Sequence, residues 1–292
     1  MRKLCLAQKK ETMTMKRFIL LSWLALLFLP MVAQAQIGLR LKSDSQRYLR
    51  YEEITVSLLI RNYSGNTLVF NEKTDRIFFT VNELSGRTAP IFDKAANPAA
   101  GLILGPGEAK ELRIVINTLH DMQREGIYTI TAYLNHSRLP RTHVSEPINV
   151  EVHEGTVVLE RNIGLPAEKS TDVIKSIRLV LMLFHDVEEK IYCLRAEDDE
   201  NIYATFRLGP AIAGDTPMID IDSSSLVHVL IQSRPRLYSY LLFGFVGRNM
   251  KLRQQKYYAA ENGPPFLFRQ DGFIRVKNGR LAIEGVDYDL KK

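Results

Sequence analysis

The sequence predicts an all-β protein: a β-sandwich over residues 36–152, then a β-meander or partial propeller-like domain over residues 153–292, preceded by a signal peptide helix. Three observations carry this reading. Apolar and polar residues alternate with a period of two in most of the apolar stretches. Clusters of Gly, Pro, Asn and Ser separate those stretches at regular short spacing. No long amphipathic helix interrupts the first region.

Met15-Lys16-Arg17 precedes an apolar run of 15 residues, Phe18 to Val32, and then Ala33-Gln34-Ala35. Basic start, apolar middle and small-residue end is the order of a cleavable export signal. The run is short of the roughly 20 residues that a membrane span needs, and no basic stop-transfer cluster comes directly after it. Cleavage after Ala35 is therefore expected, with Met15 as the true start and contact with the membrane only during export. That places the mature chain in the periplasm or outside the cell. The pI near 9.2 belongs mostly to the leader, which holds six Lys/Arg and one Glu. The chain beyond Ala35 has 33 basic and 32 acidic residues, so charge gives no reason to expect a nucleic-acid partner. Cys193 is the single cysteine beyond Ala35 and so forms no internal disulfide. Within Ile191-Tyr-Cys-Leu194 it reads as a small buried hydrophobe.

In the first domain, Ile54, Val56, Leu58 and Ile60 alternate with Thr55, Ser57 and Arg61 as in a strand with one buried face, and only Leu59 breaks the pattern. The turn Asn62 to Asn66 predicts a hairpin into Thr67–Phe70. Further strands are expected at Ile77–Leu84, Leu112–Ile116, Ile127–Leu134 and Pro147–Val152, a spacing that signals a sandwich. Tyr128, early in a late strand, sits as the tyrosine corner of an immunoglobulin-like β-sandwich does.

Val56-Ser-Leu-Leu-Ile-Arg-Asn62-Tyr-Ser-Gly65, Phe78-Phe-Thr-Val81 and Leu104-Gly-Pro106-Gly107-Glu108 together resemble the immunoglobulin-like domain of the BsuPI-type proteinase inhibitors of bacilli, over about 60 residues. The resemblance implies an immunoglobulin-like sandwich and, as an alternative function, proteinase inhibition. No reactive-loop residue can be matched. The loop Thr88–Gly101, with Pro90 and Pro98, is the exposed candidate, set against an ordinary crossover between strands.

In the second domain, Gly155 and the polar stretch Arg161–Thr171, with Gly164 and Pro166, read as the linker. Val173–Phe184 fits either a helix face or a strand, and its neighbours favour strand. Ile191–Arg195 and Ile202–Leu208 alternate as strands around a hairpin tip at Glu197–Asn201. Met218 to Tyr257 resembles one blade of a β-propeller: acidic turn, Val-His-Val strand, Tyr-x-Tyr strand, Gly turn and closing strand. A full propeller needs at least four blades, more than the chain that remains can build.

The sequence offers no metal centre, no cofactor site and no catalytic constellation. Asp220, Asp222 and Ser224 imitate the start of a calcium loop but lack its glycine and distal Glu, so a polar hairpin turn is expected. His228 within Val227-His-Val-Leu230 reads as a strand residue with a satisfied ring. Gly-x-Ser-x-Gly, His-Glu-x-x-His and phosphate-cradling glycine loops are absent. A carboxylate pair for glycoside hydrolysis needs no fixed spacing and stays open, so a carbohydrate-active enzyme is a second alternative.

Charge is segregated in this half. Asp186–Asp222 holds ten acidic and three basic residues, and Ile231–Arg280 holds ten basic and two acidic. Either the two blocks pair and neutralise one another, or the basic block meets a partner. Arg234, Arg236, Tyr238 and Tyr240 alternate, which on one strand puts them on one face, with Arg248, Lys251, Arg253 and Lys256 on the next. Arg and Tyr are enriched in binding surfaces. The sequence therefore predicts a non-catalytic binding or assembly module of the cell envelope, with a protein or an anionic envelope polysaccharide as ligand and these four residues contacting it.

Overall fold

The computed structural model describes residues 36–71, 74–167, 170–247 and 249–289, the side chains of 165–175 excepted. The predicted leader with its cleavage point, and Arg248, lie outside them. Strands make up about 60% of the described residues, among which there is no α-helix, and residues 173–184 lie on a strand. No helix of these residues is long and apolar enough to cross a membrane.

The first half contains β1 (Ile37–Ser43), β2 (Arg47–Leu49), β3 (Thr55–Asn62), β4 (Leu68–Val69), β5 (Arg76–Glu83), β6 (Ile103–Leu104), β7 (Ala109–Val115), β8 (Gly126–Asn135), β9 (His143–Val144) and β10 (Ile148–His153). One sheet has the order β1-β3-β7, a second the order β2-β10-β8-β5 with β9 beside β8. All of these pairs are antiparallel except β2 with β10. Both sheets feed one apolar core, which joins Val56, Leu58 and Ile60 of β3 to Ile77, Phe79 and Val81 of β5 and to Ile130 and Leu134 of β8. Leu59, the residue that broke the alternation, is turned outward and 40% exposed. The Tyr128 hydroxyl donates to the Arg124 carbonyl four residues upstream at 2.8 Å.

The hairpin predicted after β3 does not form. Both edges of β3 are taken, by β1 and β7, and β4 pairs instead with β6. Asn62 causes the departure. Fully buried, its side-chain amide donates to the carbonyls of Asn66, Leu104 and Gly105, and its backbone exchanges hydrogen bonds with Gly107 and Glu108. The chain leaving β3 is thereby tied to the Leu104–Glu108 turn. The loop Thr88–Gly101 is likewise laced down. Pro90 and Phe92 bond to Asp121 and Leu119, while Asn97 accepts from Ile77 and Ala99.

The second half contains β11 (Thr156–Ala167), β12 (Ser170–His185), β13 (Lys190–Glu197), β14 (Ile202–Pro210), β15 (Met218–Ile221), β16 (Val227–Arg234), β17 (Leu237–Val246), β18 (Asn249–Ala260), β19 (Phe266–Gln270), β20 (Phe273–Lys277) and β21 (Gly279–Leu281). These form antiparallel sheets β11-β12-β13-β14 and β15-β16-β17-β18-β21, plus the hairpin β19-β20. Within the predicted linker Arg161–Thr171, residues 161–167 lie on β11 and 170–171 on β12, two strands that pair with Gly164 opposite Ser176 and Pro166 opposite Ile174. β11 is an edge strand, where proline and glycine cost the ladder little. The connection between the halves is only Glu154-Gly155. A β-carbon on Gly155 would lie 3.0 Å from Met182 Cβ and 3.1 Å from Leu49 Cδ1, so a larger residue there would press on both side chains.

The described residues form four small sheets of three to five strands in a propeller-like arrangement, the strands of the first two interleaved along the chain. Buried apolar surface joins the last two, as Leu179 and Leu181 of β12 and Leu194 of β13 pack with Val229 of β16 and Phe243 of β17. A third cluster spans the junction: Leu49 of β2 with Val180, Met182 and Phe184 of β12 and Ile191 and Cys193 of β13. β13 is covered on both faces, which explains six buried residues in succession. Cys193 is fully buried, and burial pushes its thiol up to about 12. In the chain from Gln36 onward, Cys193 is therefore expected to resist a thiol-disulfide reagent at pH 8 and to react fully in 6 M guanidinium, at about the rate of a free thiol. Reaction of the folded protein within minutes would show the cluster to be open.

Candidate functional site

The four residues singled out by sequence do not lie on one strand. β16 ends at Arg234 and β17 begins at Leu237, with Arg234 opposite Leu237. Pro235 and Arg236 make the two-residue turn between them. Proline fixes the first turn position and Arg236, with φ of 63°, takes the left-handed second one. Tyr238 and Tyr240 do share a face, opposite Tyr258 and Lys256 of β18 respectively. Tyr240 is buried, and its hydroxyl lies 2.7 Å from His228 Nδ1, whose ring Nε2 is 3.1 Å from Asp222 Oδ2. Asp222 also accepts the amides of Ser224 and Leu226 and so closes the β15–β16 turn. The polar hairpin turn and the satisfied His228 ring are both present. Burial first, then Tyr258 and Asp222, raises the Tyr240 phenol to about 12, which keeps it a neutral donor. Tyr240→Phe would strand a buried ring nitrogen, and a loss of about 2 kcal/mol in urea unfolding is expected. A loss below about 0.5 kcal/mol would show that water replaces the phenol.

The charge blocks meet where Arg269 pairs with Asp220 at 2.5 Å. Asp186 pairs instead with Arg207, and Glu197 with Arg178 and Arg195. These pairs line or adjoin a cleft of about 1290 Å³ at the junction of the halves.

The first-half wall is the turn after β2. Tyr51 holds φ of 68°, a left-handed conformation that costs an aromatic residue on the order of 1 kcal/mol. The turn is pinned because Asn117 donates to the Glu52 carbonyl and accepts the Ile54 amide, and Glu52 accepts the Leu49 amide. The second-half wall comes from neighbouring positions of β13 and β14, where Arg195 faces Thr205 and Cys193 faces Arg207.

Arg207 crosses the junction. It donates to both Glu52 oxygens, to Asp186 Oδ2 at 2.5 Å and to the Arg47 carbonyl at 2.6 Å. Burial opposes its charge, but Glu52 and then Asp186 outweigh burial and hold its pKa above the ordinary arginine value. Arg195, its side chain 7% exposed, donates to the Arg50 carbonyl at 2.7 Å and Glu154 at 3.0 Å. Its guanidinium and that of Arg50 lie 5.1 and 4.7 Å from the centre of the Tyr51 ring. Five buried polar side-chain atoms among the described residues lack a hydrogen-bond partner, and three of them, Arg50 Nε, Arg195 Nε and Thr205 Oγ1, belong to this cleft.

Sequence reading missed this site. Its signal was present in two forms: Tyr48-Leu-Arg-Tyr-Glu-Glu53 interleaves aromatics with charges, and Arg195 and Arg207 interrupt strands that otherwise read as buried. Among the described residues no three His, Cys, Asp or Glu side chains gather as they would around a metal ion. The chain matches no protein-family model and no curated protein. No family match supports the BsuPI-type resemblance, and two of the segments that carry it, the Asn62 turn and Leu104–Glu108, bind each other.

Proposed function

We propose that the protein is an exported, non-catalytic binding or assembly module of the cell envelope, and that the junction cleft is where its ligand sits. The cleft carries this reading. It is large enough for a ligand of substantial size, draws walls from both halves, and concentrates unpartnered polar atoms and a strained aromatic residue. Within the same proposal, the first half is an immunoglobulin-like unit and the second a meander unit, divided at Glu154-Gly155. The two facing sheets and the Tyr128 hydrogen bond support the former. The tethering of Thr88–Gly101 argues against an inhibitory loop there.

Filling the cleft tests the proposal. Gln123 and Lys251 are exposed residues of its lining. Gln123→Trp with Lys251→Trp is expected to reduce capture of an envelope ligand by about tenfold with stability unchanged, whereas Arg234→Ser with Arg236→Ser, at the distant turn, leaves capture intact. The reverse pattern would return the site to the basic turn.

A further inference from the structure

We infer that the cleft takes an extended peptide segment of alternating basic and apolar residues, which adds as a fifth strand to the open edge of β14. This rests on the cleft being the binding site and names the class of ligand it recognises.

The strand edge carries the argument. β14 pairs with β13 on one side and, among the described residues, with no strand on the other. Residues 201–207 line the cleft without a break, so the cleft follows that open edge. From Ala204 to Arg207 the register with β13 is regular, and an irregularity stands at each end of this stretch. Alternate residues of an antiparallel edge strand aim their N–H and C=O groups away from the partner strand. Four regular positions, about 13 Å of strand, are therefore open to the kind of pairing that β13 makes on the inner side. Neither lysine nor proline, the residues that commonly guard an exposed edge, occurs in residues 202–207. Strand addition by an extended peptide uses such an edge, its main chain giving affinity and its alternate side chains giving specificity.

The two faces of β14 set the side chains of the added strand. Ala204 and Phe206 pack on the apolar cluster that holds Met250, itself a cleft residue. Arg207, on the opposite face, reaches Glu52 and the Arg47 carbonyl of the first half. A further strand continues both faces, so its alternate side chains meet apolar surface on one side and the charged turn after β2 on the other. Charge decides the sign of the polar set. The cleft lining holds seven carboxylates and five basic side chains, and Glu53 and Asp199 stand exposed on it. A net negative lining favours a basic segment and repels an acidic one.

Titration of the ¹⁵N-labelled protein with three peptides tests this. They are acetyl-Lys-Val-Lys-Val-Lys-Val-amide, the same peptide with glutamate in place of lysine, and the lysine peptide methylated at every backbone nitrogen. The lysine peptide is expected to give saturable shifts of the amides of residues 204–207 and to slow hydrogen exchange at the outward-facing ones. Binding about tenfold weaker is expected for the glutamate peptide. None is expected for the methylated peptide, which keeps charge and side chains but has no N–H to pair. Glu53→Lys with Asp199→Lys, two changes at exposed positions, is expected to reverse the preference between the first two peptides with Tm unchanged. The inference is overturned if the amides of residues 204–207 respond to neither charged peptide, or if the methylated peptide binds as well as its parent. A glutamate preference in the unaltered protein, or a lysine preference that survives the double substitution, overturns it equally. Any of these results together with lost capture on filling the cleft would remove strand addition alone and leave the cleft as the binding site.

Discussion

Arg207→Ala is expected to lower stability by about 3 kcal/mol and to split unfolding into two transitions. The side chain makes four hydrogen bonds that all leave β14, three of them to Glu52 and Arg47 in the first half and one to Asp186. Glu52 and Asp186 are 12% and 21% exposed, so losing the cation strands two carboxylates with little water to replace it. That penalty, rather than the strength of the ion pair itself, sets the size of the effect. Each half keeps its own apolar core, so loosening the junction leaves two units able to unfold separately. Arg207→Lys keeps the charge without the fork and should fall between the two. Scanning calorimetry checks the outcome. A single transition shifted by less than the equivalent of about 1 kcal/mol would mean that the cluster acts as an ordinary exposed ion pair.

The features legible in the sequence are those that local forces decide. Period-two alternation placed β3, β5 and β8 because one face of each meets a core, and even the exception at Leu59 was turned outward; β13 was found as a strand although it is covered on both faces. Pairing was less legible. The turn Asn62–Asn66 has hairpin chemistry, yet a buried amide reaching forward some forty residues sent β4 to β6. Gly164 and Pro166 looked like a linker because their tolerance on an edge strand depends on sheet order, which no local pattern records. The same limit hid the cleft. Tyr51, Arg195 and Arg207 are separated by well over a hundred positions in places and acquire meaning only when β2 and the β13–β14 pair come together. Reading Arg234 to Tyr240 as one alternating strand failed on a local fact, since Pro235 cannot donate to a ladder and makes the turn.

Phe184→Ala is expected to be at least as damaging, at about 3–5 kcal/mol. The ring is 1% exposed, near the end of β12, and belongs to the cluster in which Leu49 of the first half meets β12 and β13 of the second. Its removal leaves a cavity that the strands cannot collapse into without breaking pairs with β11 and β13 on either side. Phe184→Leu retains most of the volume and should cost nearer 1 kcal/mol. The ring also forms a floor for Arg207, whose guanidinium carbon is 5.6 Å from its centroid, so apolar packing and the ion cluster share one wall. A cation over an aromatic face in a half-buried setting contributes on the order of 1 kcal/mol. The double substitution with Arg207→Ala should therefore fall short of the sum of the single effects by about that amount, because each single change already removes the shared contact. Urea unfolding of the four proteins measures the difference. Additivity within about 0.3 kcal/mol would mean that Arg207 holds the halves together through Glu52 and Asp186 alone, with the Phe184 ring merely filling space beneath it.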